Sequence, residues 1–113
     1  MASGIKGTNK PASGSSSFDY STTPLFTASA TTTVILSACN QNSTSDTIRI
    51  CIAPGSDSAT SGTISAGYYL EYDYPLAGNT AIERTGITME ASSRMWVGSG
   101  GGNVSFVAYG LES

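Results

Sequence analysis

The stretch Tyr68-Tyr69-Leu70-Glu71-Tyr72-Asp73-Tyr74 places Tyr68, Leu70, Tyr72 and Tyr74 on one face of an extended chain. Tyr69, Glu71 and Asp73 fall on the other face, and this period of two is the signature of a strand. The pattern continues in both directions. Upstream, Thr47–Ala53 puts Ile48, Ile50 and Ile52 inward with Thr47, Arg49 and Cys51 opposite. Thr31–Cys39 does the same with Val34, Leu36 and Ala38 against Ile35, Ser37 and Cys39. Tyr20–Phe26 reads as a first strand interrupted by Pro24, which suits an edge. Downstream, Thr80–Thr85 alternates with Ile82 inward, Gly86 interrupts, and Ile87 and Met89 begin a further strand. Met95–Val97 and Asn103–Leu111 flank the glycine-rich turn Gly98–Gly102 and read as a hairpin. Polar clusters such as Asn40–Asp46, and the Ser/Gly/Thr-rich loop Pro54–Gly67, punctuate the strands. No segment repeats apolar residues at i, i+3, i+4 and i+7 between caps, so no long helix is expected. The predicted fold is all-β: an antiparallel β-sandwich, jelly-roll or Ig-like, of about seven to eight strands.

Several predicted strands are apolar on both faces: Ile35 opposes Val34 and Leu36, Trp96 opposes Met95 and Val97, and Tyr109 opposes Phe106. Something must cover the second face, and oligomerisation is the simplest cover. The composition narrows the function. The chain has 113 residues, enough for one domain, and only 12% are charged against roughly 25% in an average soluble domain. Five basic against eight acidic side chains do not supply the basic face that nucleic acid requires. No apolar run approaches the length of a membrane-spanning helix. With no histidine in the chain, the usual nucleophile–base triads cannot be assembled, and no enzymatic activity is expected.

The first 17 residues, MASGIKGTNKPASGSSS, are low in complexity and have Ile5 as their one branched aliphatic. They hold no apolar core of a secretory leader, so none is expected. We read residues 1–17 as an extended arm and residues 18–113 as the sandwich domain. Ordering such an arm costs roughly 1–2 kcal/mol per residue, so its own domain, a symmetry mate or another partner must hold it. Fully extended it reaches about 55 Å. Lys6 and Lys10 make it +2 while the rest of the chain is −5, which suits docking on an acidic neighbour. Ile5, Lys6 and Lys10 are therefore the candidate contacts of the arm.

Other constellations are weaker. Cys39 and Cys51 lie on matching faces of adjacent predicted strands, where a disulfide is conceivable, but without an export signal reduced thiols are expected. Two cysteines without histidine make a poor zinc site. Glu71 and Asp73 share a face, and Asp46 and Asp57 sit in loops; these carboxylates read as solvated groups, with neither catalysis nor a metal expected. Gly98–Gly102 lacks the Gly-Lys-Ser/Thr and following helix of a phosphate cradle. The tyrosines with Trp96 serve as core or subunit interface, as anchors for a protein partner, or as a platform on which sugars stack. Tyr69, Tyr72 and Trp96 are the candidates for those last two roles.

From Leu25 to Glu112 the chain resembles small virion structural proteins of tailed bacteriophages. The likeness rests on LFTASATTTVILSACNQNSTSDTIRICIAPGS, on YYLEYDYPLAGNTAIERTGITMEASSRMWVGS and on the closing NVSFVAYGLE, roughly four-fifths of the sequence. It implies a β-sandwich that serves as a capsid decoration or cement protein, often trimeric, or as part of a tail or fibre. The expected partners are the major capsid protein and the chain itself as a homotrimer, with no nucleic acid, membrane or cofactor. The expected location is the exterior of the virion, after synthesis in the host cytoplasm. With neither shaft repeats nor a receptor-binding tip after Leu111, a free-standing protein that binds an assembled particle is expected. The arm would add strand-like contacts to that particle.

Overall fold

The computed structural model describes residues 3–14, 18–20, 22–57, 59 and 62–112. Within them the strands are β1 (Ser3–Asn9), β2 (Phe26–Thr27), β3 (Thr32–Asn40) and β4 (Asp46–Ala53), then β5 (Tyr69–Leu76), β6 (Ala81–Met89), β7 (Arg94–Ser99) and β8 (Val104–Glu112). A single 3₁₀ turn, Ala66–Tyr68, leads into β5. Two four-stranded antiparallel sheets form, ordered β1-β8-β3-β6 and β2-β7-β4-β5. The all-β reading holds, with the sheets stacked as in a sandwich.

Alternation explains the core. Val34, Leu36 and Ala38 of β3 and Val104, Phe106 and Ala108 of β8 face inward from the first sheet. Ile48 and Ile50 of β4 and Met95 and Val97 of β7 meet them from the second. Each large side chain buried this way contributes about 1.5–3 kcal/mol. The pairing of strands differs from the sequence expectation. β3 and β4 lie in different sheets, as do β7 and β8, so neither turn closes a hairpin. Both are corners that carry the chain from one sheet to the other. The segment Thr80–Met89, read as two strands, is one strand with a bulge: Val34 pairs with Ile87 and Leu36 with Arg84, and Gly86 takes up the extra residue at φ +73°. Of the predicted Tyr20–Phe26 strand, only Phe26 is in a strand, in β2; residue 21 lies outside the described residues.

Two buried polar side chains build the corners. Asn40 Nδ2 donates to the carbonyls of Thr44 and Leu76, both at 3.0 Å, and its Oδ1 accepts the Asn42 amide at 3.0 Å. The Asp46 carboxylate accepts the amides of Thr47 at 2.7 Å, Gly101 at 2.8 Å and Asn103 at 3.3 Å. Buried polar groups persist only when satisfied in this way. The glycine-rich turn is thus pinned by a carboxylate rather than left as a loose tip.

The outer face of β2-β7-β4-β5 is apolar as well, and this chain's own loops cover it. Phe18 and Ile64 pack on Cys51, Ala53 and Trp96, with Tyr20, Tyr68 and Tyr69 around them. The apolar second face of β4 and β7 is therefore covered from within, without a second subunit. The outer face of the other sheet has no such cover among the described residues.

Candidate functional site

The arm residues lie along the body. β1 pairs antiparallel with β8, from Ser3 opposite Leu111 to Asn9 opposite Phe106, with an irregularity at Lys6. Residues 1, 2 and 15–17 of the expected arm lie outside the described residues. Backbone hydrogen bonds of β1 to β8 hold a segment whose side chains offer little. Lys6 Nζ meets Glu112 Oε1 at 3.1 Å, and Ser29 Oγ donates to the same oxygen at 3.2 Å. The hydrogen bond from Lys6 holds the Glu112 carboxyl below the usual range. The acidic neighbour of Lys6 is thus in its own chain.

Ile5 is 70% exposed and Leu111 49%. Ile5 stands opposite Tyr109, which stands opposite Ile35 in the next strand. Directly opposed residues share a face, so Ile5, Ile35, Val107, Tyr109 and Leu111 form one apolar field on the outside of β1-β8-β3. Thr8, Thr33, Ser37 and Ser105 surround them. Glu83 at the margin accepts the Tyr109 hydroxyl at 2.8 Å.

On the opposite side of the sandwich, the decisive tyrosine strand departs from its period of two. Cys51 pairs with Tyr69, Ile50 with Glu71 and Ile48 with Tyr74, so β5 holds two extra residues against β4. Asp73 takes φ +55°, a left-handed conformation that Asp tolerates better than most non-glycine residues. The bulges put Tyr69 and Tyr72 on one face, their rings 5.1 Å apart and edge to face at 80°. Tyr74 and Leu76 turn into the core. Arg49 stacks 3.8 Å from the Tyr72 ring centre and forks onto Asp73, Nε to Oδ1 at 2.8 Å and Nη2 to Oδ2 at 3.1 Å. That guanidinium holds the Asp73 carboxyl below its usual range. Phe18 stacks on Tyr69 at 5.9 Å. A recess of about 190 Å³ opens between Tyr69, Tyr72, Arg49 and Thr63, floored by Ile64.

Trp96 is placed otherwise. It is 1% exposed, its Nε1 donates to the Thr22 carbonyl at 3.2 Å, and Tyr20 stands edge-on to it at 5.9 Å. The indole is a core anchor under the loops; an edge of it reaches the floor of a recess beside Lys10 and Pro11. It offers no open plate. Above it, the Tyr20 hydroxyl donates to Asp57, and Arg94 Nη2 donates to the Asp57 carbonyl at 3.1 Å. Burial and the Asp57 carboxylate push Tyr20 up to about 12.

The remaining groups separate. Glu71 pairs with Arg84 of β6, linking the two sheets at one open side. Cys39 is exposed on the first sheet, Cys51 buried on the second, and both are free; the disulfide conceived from sequence has no geometry. Among the described residues, no three carboxylate or thiol ligands gather as a metal site, and no helix is long and apolar enough to cross a membrane. Compared with known proteins, the chain matches no family model, no curated protein and no solved structure. Sequence reasoning missed Arg49 and Asp73 as partners of Tyr72. A bulge leaves almost no trace in composition, and an Asp between two tyrosines was its one signal.

Proposed function

We propose that the chain is a bacteriophage virion structural protein, a capsid decoration or cement protein that docks on the major capsid protein shell through the outside of β1-β8-β3. The observation that carries this reading is the uncharged apolar field of Ile5, Ile35, Val107, Tyr109 and Leu111, with Ile5 70% and Leu111 49% exposed. The likeness of Leu25–Glu112 to virion proteins supplies the partner. Burying the exposed parts of Ile5 and Leu111 would add about 1–2 kcal/mol each, and repeated contacts across a shell turn modest affinities into firm attachment. A homotrimer on the shell would multiply the contact again.

The test is cosedimentation with expanded heads of the phage that encodes the chain. The wild type binds; the Ile5→Asp/Leu111→Asp variant, folded because both side chains are exposed, does not. Absence of binding by the wild type, or equal binding by the variant, overturns the proposal. Copy number decides between shell and tail: occupancy matching the shell lattice supports decoration, and a handful of copies supports a tail or fibre adaptor.

A further inference from the structure

We infer that the recess between Tyr69 and Tyr72 is a binding site for a neutral pyranose sugar. A pyranose presents a face of C–H groups, which packs on an aromatic ring, and a rim of hydroxyls, which need both donors and acceptors. The recess supplies both. Tyr72 is 60% exposed, and Arg49 stacks on its ring at 3.8 Å. Tyr69 closes the side as an edge-to-face wall, and Ile64 floors it. Arg49 and Thr63 line the recess, and Asp73 holds the Arg49 guanidinium from beside it.

Two features set this constellation apart from an incidental surface cluster. The bulge between Tyr69 and Glu71 re-aims Tyr69 and Tyr72 onto a common face, and the second, between Glu71 and Tyr74, turns Tyr74 inward. Arg49 is held beside the Tyr72 ring by its two bonds to Asp73, so less ordering is left for a ligand to impose. Charge selects the ligand. Arg49 and Asp73 cancel, Arg84 cancels Glu71, and the whole chain carries −3. An anionic sugar gains nothing here and is repelled at long range, so a neutral one is favoured.

The recess lies on the outside of β2-β7-β4-β5, opposite the field around Ile5. A protein attached by the first sheet would display it away from the particle. Sugar binding itself does not depend on that attachment, so the two readings fail separately.

Saturation-transfer NMR on the full chain, with the methyl glycosides of glucose, galactose, mannose and N-acetylglucosamine as probes, tests the site. At least one gives transfer strongest at its ring C–H protons, with amide shifts centred on residues 69–73. Tyr72→Ala weakens it by about tenfold or more, Tyr72→Trp retains it, and urea unfolding followed by circular dichroism shows both variants folded. No transfer from any probe overturns the inference. So does binding unaffected by Tyr72→Ala, binding only of sialic acid as an anionic control, or binding only of a proline-rich peptide at the same residues.

Discussion

Replacing Asn40 by Ala should destabilise the fold by about 2–4 kcal/mol. The side chain is 1% exposed and ties the Asn40–Asp46 corner to the Leu76–Thr80 corner. Its loss leaves the Leu76 carbonyl buried without a donor, which costs about 1–3 kcal/mol. The Thr44 carbonyl and Asn42 amide lie nearer water and forfeit about 0.5 kcal/mol each. At roughly 4 °C per kcal/mol for a domain of this size, the thermal midpoint falls by about 8–16 °C. Asn40→Asp sharpens the test, because it sets an oxygen where the donor stood, against the Thr44 and Leu76 carbonyls. That buried carboxyl has a folded pKa raised above the ordinary value near 3.9. A raised acid favours the folded state only while protonated. Asn40→Asp is therefore less stable than Asn40→Ala at pH 7, and the gap closes as pH falls toward 4. Urea unfolding followed by the single tryptophan, Trp96, measures both. An Asn40→Ala variant within about 0.5 kcal/mol of wild type would refute the argument, since ordinary surface substitutions span that range without any buried partner lost.

Three further outcomes follow from the same geometry. Iodoacetamide labels Cys39 in the native protein and spares Cys51, which is buried and pushed up to about 11; equal labelling would contradict the covering of the second sheet. Tyr20 stands at about 12 when folded against about 10 unfolded, so its contribution is complete below pH 10 and is lost between pH 10 and 12. Tyr20→Phe should flatten that alkaline limb in pH-dependent urea titrations, and an unchanged slope would remove Tyr20 as its cause. Deleting residues 1–9 strips β1 from β8 and breaks the Lys6–Glu112 pair, so the unfolding midpoint drops; an unchanged midpoint would mean that β1 adds nothing to the body.

Alternation legible in the sequence located the inner faces of β3, β4 and β8, and Val34, Leu36, Ile48, Ile50 and Phe106 are buried as their positions require. It did not reveal strand partners. A period of two reports which way a side chain points and is silent on which strand lies beside it, so short polar turns read as hairpins when they are inter-sheet corners. The same limit hid β1. Gly4, Thr8 and Asn9 resemble a disordered segment by composition, yet main-chain pairing to β8 needs no particular side chain. Trp96 was legible as an apolar residue on a two-faced strand; that the cover comes from Phe18 and Ile64, far away in sequence, was not. Tyr69 and Tyr72 reversed their relation because one extra residue of β5 falls between Tyr69 and Glu71, and an insertion of one residue is invisible to a pattern read strand by strand.

The edges of the two sheets bear on how such a chain can meet a partner. An open edge invites strand addition, and every edge here is spoiled. β2 is two residues long. β5 carries its two bulges, Asp73 in the left-handed region, and Pro75, which has no amide to donate. β6 carries a bulge at Gly86 and is tethered through Arg84 to Glu71. β1 has Gly4 at φ +121° and an irregularity at Lys6, and Gly7 lies so close to the Leu25 carbonyl that a Cβ there would collide with it. Strand-like addition by the arm, expected from sequence, is thereby spent inside the chain: β1 is itself the added strand, and it ends the sheet rather than extending it to a neighbour. What remains for association is face against face. Of the two outer faces, one is roofed by the loops around Phe18 and Ile64 and the other presents Ile5, Ile35, Val107, Tyr109 and Leu111 to solvent. Were that face to dock as proposed, the low charge of the chain, 12% of residues, would keep its desolvation cheap, because ions are the costliest groups to strip of water.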